Sequence, residues 1–141
     1  MKNQKGISLV AVIGGIILIA LVVVSVINYR DNQQKKAGES MIALMSKWDD
    51  ALSVASASPR IALAAPVKDL QAIRAEAKDL KVTGCLLKPK EGMEFGMEET
   101  VQTFISFMRG SESDSGHNNF DRAALGFTQY RDSMNACGFY K

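Results

Sequence analysis

The hydropathy pattern of the chain opens on its strongest feature. From Ile7 to Ile27 there is no charged residue, and the only polar side chains are Ser8 and Ser25. At about 1.5 Å per residue, a helix of this length spans about 30 Å, the thickness of a bilayer's hydrocarbon core. The run is longer than the apolar region of a cleaved secretory signal, and Asn28-Tyr29-Arg30-Asp31 offers neither a small-x-small cleavage site nor a cysteine. The pattern therefore predicts an uncleaved transmembrane helix over 7–29. A short tail, 1–6, precedes it and a polar stalk, 30–40, follows it.

Beyond the stalk the period changes. Met41, Leu44, Met45, Trp48, Ala51, Leu52 and Ala55 recur at spacings of three and four, which marks one face of an amphipathic helix. Ser58-Pro59 has the chemistry of an N-cap followed by a first helical position. The next stripe is Ile61, Leu63, Val67, Leu70, Ile73, Ala77 and Leu80, with Pro66 either kinking this helix or starting another. Gly84 supplies a stop, and 85–91 is expected to be a connector punctuated by Pro89.

A third stripe runs through Met93, Met97, Val101, Phe104, Ile105 and Met108 and ends at Gly110. Glu91, Glu94, Glu98 and Glu99 crowd its expected start, where the helix dipole favours negative charge. Residues 111–119 (SESDSGHNN) read as a polar loop. Asn119 is placed to cap a last helix bearing Phe120, Ala123, Ala124, Phe127, Tyr130, Met134 and Cys137, closed by Gly138. No segment alternates with period two. The expected fold is mainly α: one N-terminal transmembrane helix and, over 41–141, an extracytoplasmic three- or four-helix bundle.

Composition narrows the function. Of the 141 residues, 47% are hydrophobic and 23% charged, a globular rather than a disordered balance. Lys2 and Lys5 carry the net charge of +2, leaving 15 basic against 15 acidic residues beyond the apolar run. A neutral domain lacks the net basic face that nucleic-acid binding requires, so no nucleic-acid partner is expected. Lys78, Lys81, Lys88 and Lys90 form a local basic patch that the four glutamates balance.

Two cysteines, Cys85 and Cys137, stand far apart and outside any C-x-x-C pair. Beside a membrane anchor they are expected to form a disulfide closing a loop of about 50 residues. That in turn favours an N-terminus in the cytoplasm and a C-terminal, periplasmic-side domain outside the cytoplasmic (inner) membrane. His117, alone in a polar loop, has no partner for metal binding or nucleophilic catalysis. There is no phosphate loop and no H-E-x-x-H. No enzyme activity, cofactor or metal is expected. Trp48 and the methionines Met41, Met45, Met93, Met97, Met108 and Met134 all fall on apolar stripes and read as core. Ala11 and Gly15, small residues four apart, would allow close pairing of membrane helices and hence a homo-oligomer.

Lys5-Gly6-Ile7-Ser8-Leu9-Val10 at the head of a long apolar helix resembles the leader junction of type IV prepilins and pseudopilins. The resemblance implies peptidase cleavage between Gly6 and Ile7 and a head domain built on an antiparallel sheet. It also implies Glu at the fifth mature position, where this chain has Ala11. Two expectations follow. One is a single-pass envelope protein with an interaction or structural role, working with the membrane and an unidentified envelope partner. The alternative is a pilin-like subunit processed after Gly6.

Overall fold

The computed structural model describes the backbone of residues 9–110 and 115–140, and side-chain surroundings over 21–110 and 119–140. Expectations for Gly6 and Ile7, and for the side chains of Ala11, Gly15 and His117, lie outside the described residues. Among the described residues four long helices follow one another: α1 (Leu9–Ala57), α2 (Ala64–Asp79), α3 (Leu87–Arg109) and α4 (Ser115–Ala136). Two 3-10 turns, Arg60–Ala62 and Gly84–Leu86, link α1 to α2 and α2 to α3. Among the described residues there is no strand, and the protein is mainly helical. The chain divides into two compact units, residues 1–33 and residues 34–141.

In the first unit the described apolar side chains are exposed on every side of the helix. Leu21, Val22, Val23, Val24, Val26 and Ile27 are each 50–60% exposed. Among the described residues, no helix is long and apolar enough to cross a membrane. Within the uncharged run, side-chain surroundings are described from Leu21 onward.

The second unit is built around one core. Met41, Leu44, Trp48 and Ala55 of α1 meet Val67, Leu70 and Ala77 of α2, Met93, Met97, Val101 and Phe104 of α3, and Tyr130 and Met134 of α4. The three- and four-residue spacings thus point inward as expected: Trp48, Met41, Met93, Met97 and Met134 are core, while Met45 and Met108 are half-buried against it. The unit begins at Gln34, so residues 34–40, expected in a stalk, belong to it. Within them Gly38 is buried beneath the Phe139 ring.

Several boundaries differ from expectation, each for a local reason. Ser58 does not cap: its hydroxyl donates back to the Val54 carbonyl at 2.7 Å, and Pro59 leads into a 3-10 turn. Ile61, expected inward, is on that turn and is 96% exposed. Pro66 and Pro89 each occupy the third position of a helix, where the missing N–H has no intrahelical acceptor anyway. Residues 87–91, expected in a connector, therefore open α3, and Glu91, Glu94, Glu98 and Glu99 all lie beyond its first turn. Residues 115–119 are helical, so Asn119 caps nothing. Phe120 and Ala124 are exposed, although Phe120 still packs edge-on against Phe104.

The closest packing lies between α3 and α4. A Cβ on Gly126 would lie 2.7 Å from the Gly96 nitrogen and 2.8 Å from the Gly92 carbonyl oxygen. A Cβ on Gly92 would meet the Gly126 carbonyl and the Tyr130 nitrogen, both at 2.8 Å. Three glycines therefore let two backbones touch. Thr100, one turn beyond Gly96 on the same face, is buried and donates its hydroxyl to the Gly96 carbonyl at 2.8 Å. Gly126→Ala is expected to lower stability by about 1–3 kcal/mol in urea unfolding, because neither backbone can yield, even though alanine is the better helix former. A variant as stable as the parent would show that the helices do not cross this closely.

Candidate functional site

Apart from the apolar helix surface, the described residues with distinctive chemistry converge at one end of the second unit. Two chain segments build that end. The first is the passage from α2 to α3. α2 ends at Leu80 in an extended conformation, leaving its last carbonyls without helical donors. Lys90 fills the gap from the first turns of α3: its ammonium donates to the Lys78 carbonyl at 2.8 Å and the Leu80 carbonyl at 2.7 Å. Glu94, one turn on, pairs with the same ammonium at 3.3 Å. The Gln34 side-chain amide of α1 donates to the Thr83 carbonyl at 3.4 Å, tying the start of the unit to this passage.

The second segment is the C-terminus of α4. Gly138 adopts the left-handed conformation, with φ +83°. Its N–H donates to Asn135 at 2.9 Å, and the N–H of Phe139 donates to Met134 at 3.1 Å. This is the paired closure in which a left-handed glycine lets two last carbonyls be satisfied. The reversal sends Phe139 onto Gly38 and Tyr140 back to Tyr130. The two tyrosine hydroxyls are 3.1 Å apart and the rings meet nearly edge-on. Burial first, then Tyr140 and the nearby Asp49 carboxylate, raises the Tyr130 hydroxyl well above the usual phenol range.

Between these segments lie the two cysteines. Cys85 is in the Gly84–Leu86 turn, which packs against α4, and Cys137 is the residue after α4. Both are free thiols here, Cys85 exposed and Cys137 half-buried. Burial, with hydrogen bonding to Cys85 and its charge, pushes the Cys137 thiol up to about 11. The two residues expected to pair are thus brought together as neighbouring thiols. Thiol–disulfide chemistry is what this arrangement can perform.

The remaining candidates disperse. Lys78, Lys81 and Lys88 are exposed, and Lys90 is taken up in closing α2. Glu99 pairs with Arg122 of α4 at 2.8 Å, and that guanidinium also lies over the Phe95 ring. Glu98 is bound by Gln102 and Arg74, and these, with the Lys78 charge, hold its carboxyl below the usual range against the cost of burial. His117 belongs to α4 and not to a loop. Among the described residues no group of three or more His, Cys, Asp or Glu could hold a metal ion. On the first unit, Leu21, Val22, Ser25, Val26 and Tyr29 line a shallow apolar groove.

Lys90 was visible in the sequence only as one member of a basic patch, and nothing local signals its capping role. Gly92 and Gly96 could have been found as a small-x-x-x-small pair. Comparison with family models, curated proteins and solved structures returned no match for the chain. Lys90→Met keeps the apolar stem and removes the donor, so it is expected to destabilise the protein by about 1–3 kcal/mol. Hydrogen exchange should then quicken at the end of α2; unchanged exchange over 76–80 would show that the ammonium does not hold that end.

Proposed function

We propose that the chain is a single-pass, membrane-anchored protein whose 34–141 unit has an interaction or structural role in the cell envelope. The observation that carries this reading is the all-round exposure of Leu21 to Ile27 at the end of an uncharged run beginning at Ile7. A helix apolar on every side is at home in a protein core or in lipid, and the 34–141 unit has a core of its own without it. Tyr29 and Arg30, both exposed, follow the run as an aromatic and a basic residue suited to a membrane boundary. In this reading the N-terminus lies in the cytoplasm and the helical unit outside the inner membrane. The partner of the unit is read as another envelope protein or a second copy joined through the membrane helix.

The Lys5-Gly6-Ile7 junction favours a second reading, a pilin-like subunit cut after Gly6. Against it stand Ala11 at the position of the expected Glu and the helical character of the described head.

The full chain is expected to stay with membranes through high-salt and alkaline washes. A reporter fused after Lys141 should work only if it is an enzyme that requires export. Recovery in the wash would overturn the anchor, and activity from a cytoplasm-dependent reporter alone would overturn the orientation. Intact mass separates the two readings: the anchored protein keeps residues 1–6, whereas the pilin-like subunit lacks them.

A further inference from the structure

We propose that Cys85 and Cys137 form a thiol–disulfide exchange site, in which Cys85 captures an exposed disulfide and Cys137 resolves the adduct. The proposal goes beyond the anchoring role and does not depend on it, because it rests on the 34–141 unit alone. These are the only cysteines in the chain, and they are neighbours. The pairing is not a consequence of sequence proximity. The whole of α3 and α4 lies between them, and the fold returns the end of α4 to the Gly84–Leu86 turn.

Their surroundings divide the work. Cys85 is exposed, on a short turn that begins with a left-handed glycine, Gly84 at φ +62°. An incoming disulfide can therefore reach its sulfur. Cys137 is half-buried, between the last turn of α4 and a tail held by Phe139 on Gly38 and by Tyr140 on Tyr130. A bulky disulfide has poorer access to Cys137, but the Cys85 sulfur is already beside it. The raised pKa of Cys137 has the same consequence, keeping that thiol protonated and slow until an adjacent electrophile arrives.

The steps balance as follows. The Cys85 thiol gives its proton to solvent, and its sulfur attacks one sulfur of a disulfide RS–SR. The S–S bond breaks, RS⁻ leaves and is protonated, and Cys85 is left as the mixed disulfide. Cys137 then loses its proton and attacks the Cys85 sulfur, expelling the second RS⁻. Two protein thiols are oxidised to one disulfide, and one RS–SR is reduced to two RSH. The product fastens the 84–86 turn to the end of α4 and so fixes the tail over Gly38.

The test uses the full chain, solubilised in detergent, with glutathione disulfide as the oxidant and intact mass as the readout. The parent protein should lose both thiols without accumulating a glutathione adduct. Cys137→Ser should accumulate one adduct, on Cys85. Cys85→Ser should react about tenfold more slowly, since the remaining thiol is half-buried beneath the returning tail and glutathione disulfide has poorer access to it. Two adducts on the parent chain would show that the thiols do not reach each other. Equal or faster reaction of Cys85→Ser would overturn the order. Should either variant lose its helical circular dichroism, a brief maleimide pulse on the parent decides the order: Cys85 should be labelled first, and labelling of Cys137 first would sink the assignment.

Discussion

Backbone touching backbone where α3 crosses α4 sets the spacing of the whole second unit. Gly92, Gly96 and Gly126 remove the side chains that normally hold helices 8–10 Å apart. Large residues can then gather around the crossing and not within it. Phe127 lies against the Gly96 side of α3 and meets Trp48 of α1, with ring centroids 6.3 Å apart. Tyr130, the residue that a Cβ on Gly92 would strike, continues the same face toward Met134. The tight pair thus behaves as one slab, against which α2 and the later part of α1 lay their stripes. Wider spacing would leave the largest buried side chains, Trp48 and Tyr130, without neighbours at contact distance.

A small helical unit must also satisfy the carbonyls at its helix ends, and here distant side chains share that task with local caps. At one end Lys90 closes α2. At the other, the Arg60 guanidinium donates to the Met108 carbonyl near the end of α3 while lying over the Phe107 ring. Both are long cations at helix C-termini, where the backbone partial charge is negative. Each also ties a linker to the helix that follows or flanks it, so the caps double as tertiary contacts. α4 closes itself through Gly138, and the reversal this permits carries Phe139 and Tyr140 back over the bundle.

This division explains what could be read from the sequence. The stripe Met93, Met97, Val101 and Phe104 was legible because regular apolar spacing on a helix admits few other structures, and all four are buried. Ile61 and Phe120 were misread at the ends of stripes: Ile61 falls on a 3-10 turn, and Phe120 lies in the second turn of an α4 that begins earlier than expected, with half of its surface exposed. Ser58 has the right type for a cap, but a serine hydroxyl can equally bond back to a carbonyl four residues earlier, and it does. A pattern that scores apolar residues treats Gly92 and Gly96 as gaps, although their lack of side chains is their contribution. Arg60 and Met108 are 48 residues apart, and no local rule connects them. The candidate site was legible in its two cysteines and illegible in its surroundings. Partial burial of Cys137 and exposure of Cys85 depend on how the tail folds back.

The charges follow the same logic as the packing. Beyond the apolar run the chain is formally neutral, yet its inter-helix ion pairs are specific: Lys47 with Glu76, Arg74 with Glu98, Glu99 with Arg122. The first is well exposed on both sides and adds little. The other two flank α3, one reaching α2 and one reaching α4, with Glu99 the least exposed of these carboxylates. A slip of α3 by one turn would bring Lys88 or Thr100 to a glycine's place against Gly126 and put Phe95 or Thr103 in place of Glu99 opposite Arg122. Register is therefore fixed twice over, by charge on the flanks and by the glycines at the centre. α3, held in this way, is the frame from which the 84–86 turn presents Cys85 to the end of α4.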